Sequence, residues 1–127
     1  MNVKILIIDD TKSHRDHLAE LLEGTKTEIF FAENGEDGLQ KMKDIENIEF
    51  VITDLDMPKM DGIQLMEHVS QYENLKGIPV AFCTRHFDSE NSLKAKKMGA
   101  TIFLPKPMFS MDQLIKIIER VLNKEIR

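Results

Sequence analysis

Val51-Ile52-Thr53-Asp54-Leu55-Asp56-Met57-Pro58 begins as a short β-branched apolar run and stops abruptly on an aspartate. β-Branched residues suit the pleated, half-buried surface of a strand, and a proline soon afterwards ends the ladder. A strand that stops on a carboxylate holds that carboxylate at the rim of a sheet, where it can meet ligand. Three other runs end on polar groups: Ile5-Leu6-Ile7-Ile8 on Asp9-Asp10, Val80-Ala81-Phe82-Cys83 on Thr84, and Ile102-Phe103-Leu104-Pro105 on Lys106. Open α/β sheets bind ligands outside the carboxyl ends of their strands. The four edges therefore predict a single composite site.

Between these runs the periodicity changes to that of helices. Strands are predicted over Lys4 to Ile8, Glu28 to Ala32, Phe50 to Thr53, Pro79 to Cys83 and Thr101 to Leu104. Helices alternate with them: His14 to Leu22 with Leu18, Leu21 and Leu22 inward, Gly35 to Met42 with Leu39 and Met42, and Gly62 to Gln71 with Ile63, Met66 and Val69. The last helix, capped by Ser110, carries Leu114, Ile117, Ile118, Val121 and Leu122 as a full amphipathic stripe. The helix near Ser89 to Met98 has only Leu93, Ala95 and Met98 to bury, so it is expected to be loosely held. Short apolar strands alternating with helices imply a parallel sheet covered on both faces.

A chain of 127 residues, 42% hydrophobic and 31% charged, fits one soluble α/β domain over residues 1–127. Its formal charge of −5 leaves no basic stripe for phosphate backbones, which argues against direct nucleic-acid binding. The single cysteine, Cys83, excludes an internal disulfide; within an apolar run it reads as core, not as a reactive thiol. Charged residues interrupt the N-terminal apolar run too early for a signal peptide, and no stretch reaches membrane-spanning length. A cytoplasmic protein without membrane contact is expected. His14, His17, His68 and His86 share no metal spacing and read as surface residues.

Asp9, Asp10 and Asp54 would meet at one sheet edge. Carboxylates that close repel one another unless one is protonated or a cation sits among them. Oxygen donors without His or Cys favour Mg²⁺, which needs few protein carboxylates. Lys106 adds a fixed positive charge and Thr84 a hydroxyl. Together they form a cradle for a tetrahedral oxyanion carried on an aspartate, and Asp54, alone at its strand end, is the best placed. Taken singly, an Asp-Asp pair reads as a turn or helix cap and a Lys-Pro as a solvated loop. The conjunction on successive strand ends is what carries chemistry.

That conjunction resembles the receiver domain of two-component response regulators, over essentially the whole chain. The matching residues are Asp9-Asp10, Asp54 within Asp54-Leu55-Asp56-Met57-Pro58, Asp61-Gly62, Thr84, Gly99-Ala100 and Lys106-Pro107. The resemblance implies a flavodoxin-like, doubly wound five-stranded parallel sheet of order 2-1-3-4-5 with five helices. It implies Asp54 as phosphoacceptor, with Mg²⁺ or Mn²⁺ held by Asp10, Asp54 and the Asp56 backbone carbonyl, and by Asp9 mainly through water. Lys106 would pair with the phosphoryl group, the Lys106–Pro107 bond would be cis, and Thr84 and Phe103 would form the switch. It further implies a histidine kinase or histidine phosphotransfer protein as donor, an unidentified downstream protein as target, and no enzyme activity beyond self-phosphorylation and self-dephosphorylation. The partner face would be the fourth helix, fifth strand and last helix.

Three positions depart from the family pattern. Phe103 stands where many members carry a tyrosine, so a hydroxyl-mediated version of the aromatic switch is absent. The run Met108-Phe109-Ser110-Met111-Asp112 looks one residue longer than the usual loop, and Arg85 is bulky where a small residue is frequent. Two rivals are weaker. Asp54-x-Asp56 also matches the nucleophile motif of haloacid dehalogenase-like phosphatases, but there an acidic pair follows the lysine instead of preceding the motif. A flavodoxin-like nucleotide binder would need a glycine- or hydroxyl-rich loop after the first strand.

Overall fold

A computed structural model describes residues 2–127. Strands and helices alternate along the chain: β1 (Val3–Ile8), α1 (Lys12–Leu21), β2 (Thr27–Ala32), α2 (Gly35–Asp44), β3 (Ile48–Asp54), α3 (Gly62–Val69), β4 (Val80–Thr84), α4 (Glu90–Lys97), β5 (Ile102–Pro105) and α5 (Met111–Leu122). The five strands form one parallel sheet of order β2-β1-β3-β4-β5. This is the doubly wound, flavodoxin-like arrangement expected from the sequence.

Alternation along each strand divides the core. Ile5, Ile7, Phe50, Ile52, Ala81, Cys83 and Leu104 face α1 and α5, meeting Leu18, Leu22, Leu114, Ile115 and Ile118. Leu6, Ile8 and Val51 face the other way, onto Leu39 and Met42 of α2 and Leu65 and Val69 of α3. Both faces of β1, β3 and β4 are buried, which is why these strands read as unbroken apolar runs. On α5 the predicted stripe holds at its centre: Leu114 and Ile118 are fully buried, with Ile117, Val121 and Leu122 packed along its margin. No helix among the described residues is long and apolar enough to cross a membrane.

The expected packing of α4 is corrected in part. Ala95 is buried, but Leu93 and Met98 are 49% and 39% exposed. The helix turns Ser92 and Ala95 inward, one turn apart, and Leu93 lies about 100° round from Ser92. A face made of such small side chains buries little apolar area. The helix itself is stabilised at its ends: Ser89 caps it, Glu90 lies in its first turn, and Lys94, Lys96 and Lys97 complement the dipole in its last.

Loop geometry aims the strand ends. Asp61 and Gln64 form a reciprocal capping box at the start of α3. Gly62 follows, and a Cβ there would come within 2.8 Å of the Asp54 carbonyl oxygen and 3.1 Å of the Leu55 Cα. Glycine is what lets the loop fold back on the end of β3, where the Gly62 N–H donates to the Leu55 carbonyl at 2.9 Å.

Candidate functional site

Parallel pairing sets the site. Ile8 lies opposite Thr53, so Asp9 and Asp54 emerge side by side; Thr84 pairs with Pro105, which brings Lys106 beside them. The Lys106 N–H donates to the Thr84 carbonyl at 3.0 Å, extending this ladder by one residue. Carboxylate oxygens of Asp9, Asp10 and Asp54 all come within 4.8 Å of one another. Asp9 and Asp54 are buried, whereas Asp10 stands exposed at the rim. Asp10, Thr11, Asp54, Asp56, Arg85, His86 and Lys106 line a cleft of about 330 Å³.

Lys106 reconciles the carboxylates. Its Nζ lies 2.6 Å from Asp54 Oδ2 and 3.1 Å from Asp9 Oδ2, and the Lys106–Pro107 bond is cis. Burial alone would lower the Lys106 pKa, but the hydrogen bond and charge of Asp54, then those of Asp9, raise it above its ordinary value. Asp54 moves upward too: desolvation is the largest influence, and Lys106 only partly opposes it. Burial also pushes on Asp9, yet hydrogen bonds from His14 and the Thr11 N–H, together with Lys106, carry its value downward. Of the two buried carboxylates, Asp54 is the one that accepts charge reluctantly.

Expecting His14 at the surface was wrong. It is 7% exposed, and its Nδ1 lies 2.6 Å from Asp9 Oδ2. Its Nε2 has no partner, so the Nδ1–H tautomer, which aims the proton at the carboxylate, leaves only a lone pair unsatisfied. The signal was present in the sequence, because His14, Leu18 and Leu22 share one helical face. Arg15 donates to the Asp9 carbonyl at 2.6 Å, and the Thr11 N–H reaches Asp9 Oδ1 at 2.8 Å. His17 is half-buried and bonded to the Met108 carbonyl, while His68 and His86 are exposed as expected.

The remaining candidates lie toward α4. Thr84 Oγ1 donates to the His86 carbonyl and accepts from the His86 N–H, each at 3.1 Å. The exposed Asp56 side chain accepts a 2.6 Å hydrogen bond from Asn91 of α4, a contact nothing in the sequence announced. Phe103 is half-buried, its ring centroid 6.0 Å from that of Phe82, with the Lys96 ammonium 5.3 Å above it. Cys83 is core as predicted; burial first, then the charges of Asp54 and Asp9, push its thiol up to about 12. The three clustered carboxylates offer oxygen donors only, the set a hard cation such as Mg²⁺ takes.

Residues 5–119 match the family model for the response regulator receiver domain. The chain belongs to that family. This receiver domain is 32% identical over 127 residues to the chemotaxis protein CheY-3 of Vibrio cholerae, covering 94% of this chain and 95% of the relative. It is 31% identical to the chemotaxis protein CheV3 of Helicobacter pylori, covering 95% of this chain but only 41% of that protein. Several curated relatives are thus much longer than the stretch they share with it. The crystal structure of the chemotaxis response regulator CheY4 of Vibrio cholerae superposes with a TM-score of 0.84 at 30% identity, covering 96% of this receiver and all of that chain. This assignment sets the chain in a different family from the haloacid dehalogenase-like phosphatases and the flavodoxin-like nucleotide binders.

Proposed function

We propose that residues 1–127 form one phosphoryl-accepting switch, with Asp54 as the acceptor. A partner's phosphohistidine, on a histidine kinase or histidine phosphotransfer protein, supplies the group: its N–P bond breaks as a bond forms to an Asp54 carboxylate oxygen. The observation that carries this reading is the 2.6 Å contact of Lys106 with Asp54 inside the carboxylate cluster. A positive charge already placed there stabilises the charge that develops on the transferring oxygens.

Asp10 and Asp54, with the Asp56 backbone carbonyl, would hold Mg²⁺ or Mn²⁺. Both Asp9 oxygens are engaged by Thr11, His14 and Lys106, which favours an indirect role for Asp9, through water. When bound, the cation neutralises phosphoryl oxygens and lowers the repulsion within the cluster. Thr84 and Phe103 then bias the α4, β5 and α5 face, which a downstream protein reads. The protein works in the cytoplasm, without direct nucleic-acid or membrane contact, and its only chemistry is its own phosphorylation and dephosphorylation.

Incubation with a small phosphodonor tests the assignment. Asp54 should be labelled only with a divalent cation present; Asp54→Asn should abolish incorporation and Asp56→Asn should not. Full labelling of the Asp54→Asn protein would overturn it.

A further inference from the structure

His14 and Leu18 are the buried residues of α1, and Leu18 anchors their shared face in the core. The His14 Nδ1 lies 2.6 Å from Asp9 Oδ2, while its buried Nε2 has no partner among the described residues. The ring therefore has one polar attachment, and that attachment is Asp9. Three donors reach the Asp9 carboxylate: the Thr11 N–H on Oδ1 at 2.8 Å, and His14 and Lys106 on Oδ2 at 2.6 and 3.1 Å. The Lys106 contact is the looser of the last two, because its ammonium lies nearer Asp54, at 2.6 Å. The terminal torsion of an aspartate is soft, so His14 is the group that chiefly holds Oδ2 in place. Its two donors occupy both lone pairs of Oδ2, whereas Oδ1 keeps one that a water can use.

We propose that His14 is a positioning residue that sets the cation preference of the site: its N–H keeps Asp9 out of direct coordination and leaves Asp10 and Asp54 as the carboxylate ligands. This rests on the cation-assisted phosphoryl-switch reading above. Mg²⁺ dehydrates reluctantly and keeps several waters, whereas Ca²⁺ takes more oxygen ligands in a looser shell. Two carboxylates and a backbone carbonyl suit the first cation better than the second. Released from His14, Asp9 can turn and offer an oxygen as a third carboxylate ligand. Ca²⁺ benefits more from that extra oxygen than Mg²⁺ does. His14 thus discriminates by withholding a ligand, through a contact outside the coordination shell.

The test is calorimetric titration of the full chain with Mg²⁺ and with Ca²⁺, at one pH above the ordinary titration range of histidine. The quantity read is the ratio of the two affinities, which a loss of stability alone does not move. In His14→Leu the Ca²⁺ affinity relative to Mg²⁺ should rise about ten-fold, the size of effect that outer partners of ligands have on metal binding. His14→Asn places an amide N–H where Nδ1 stood, and should keep the wild-type ratio whatever its void does to the melting temperature. In the Asp9→Asn background the His14→Leu change should leave the ratio untouched, because the withheld carboxylate is gone. An unchanged ratio in His14→Leu, with wild type binding Mg²⁺, overturns the His14 inference alone. A shift shared equally by His14→Asn also overturns it, since ring packing and not the N–H would then be responsible. Should His14→Leu not fold, His14→Met makes the same comparison with a more adaptable side chain. Failure of wild type to bind Mg²⁺ overturns the cation-assisted reading, and this inference with it.

Discussion

Lys106 sits between two buried carboxylates, and the three groups respond differently to pH. The raised Lys106 value means its stabilising pairings are fully present below its unfolded pKa of 10.5 and are lost as pH rises through the still higher folded value. Asp9, lowered from 3.8, stabilises the fold above that pH and ceases to as pH falls through its folded value. Asp54 runs the other way: its raised value favours the fold as it takes up a proton on acidification. Lys106→Met leaves both carboxylates without their shared cation and should destabilise the protein by about 3 kcal/mol at neutral pH. The deficit should narrow as pH falls and Asp54 is protonated first, which urea unfolding of both proteins across a pH series would measure. A pH-independent deficit would show that packing of the lysine stem, not charge, dominates. Cys83 supplies a second residue-level expectation: with its thiol at about 12 and buried, alkylation should proceed only as fast as the chain opens. Labelling rates that rise in step with urea-induced unfolding would bear this out; rapid labelling of native protein would refute it.

At the scale of elements, the β3–α3 connection ties stability to the site. The backbone of Asp54 and Leu55 occupies the space a Gly62 side chain would need. Gly62→Ala must therefore displace the end of β3 and should lower phosphate uptake from a small donor as well as the melting temperature. Gly77→Ala is the control, since nothing lies within 4 Å of a Cβ there. Equal uptake by the two variants would mean the loop shifts without moving Asp54. Existence and order of the elements were legible in the sequence, because apolar periodicity reports burial directly. The facing of α4 was not. With one large residue, Leu93, among small and charged ones, the pattern had no dominant stripe, and contacts to β4 and the following loop set its rotation.

For the whole molecule, the proposed cation binding would join the sheet edge to solution conditions. Mg²⁺ must compete with protons for the carboxylates, so its affinity should fall as pH drops. Because Asp54 titrates above 3.8, the fall should begin at a higher pH than for an ordinary aspartate. Calorimetric titration at several pH values is the suitable measurement, since the chain contains no tryptophan to report binding by fluorescence. Affinity constant down to pH 4 would count against Asp54 as a ligand. The proposed switch would make a further demand at this scale. One hydrogen bond from Thr84, about 1 kcal/mol, shifts a two-state equilibrium only about five-fold. On that proposal the resting and active-like forms would be nearly balanced, and Thr84→Ala should lose most of the beryllofluoride-dependent gain in binding a downstream partner.

The sequence alone was sufficient for the order of the strands' polar ends, the central core and the identity of the clustered residues. Those features follow from local rules: two-residue alternation, helical stripes, and the chain-order geometry of a parallel sheet. Tertiary structure decided which of those residues touch. His14 left the surface for Asp9, Asn91 reached across to Asp56, and Ser92 replaced Leu93 as the inward residue of α4. Each of these depends on where one element lies against another, and a polar side chain carries no periodicity that announces its partner. A buried donor or acceptor is satisfied by whatever group packing brings within about 3 Å, and that distance exists only once the chain has folded.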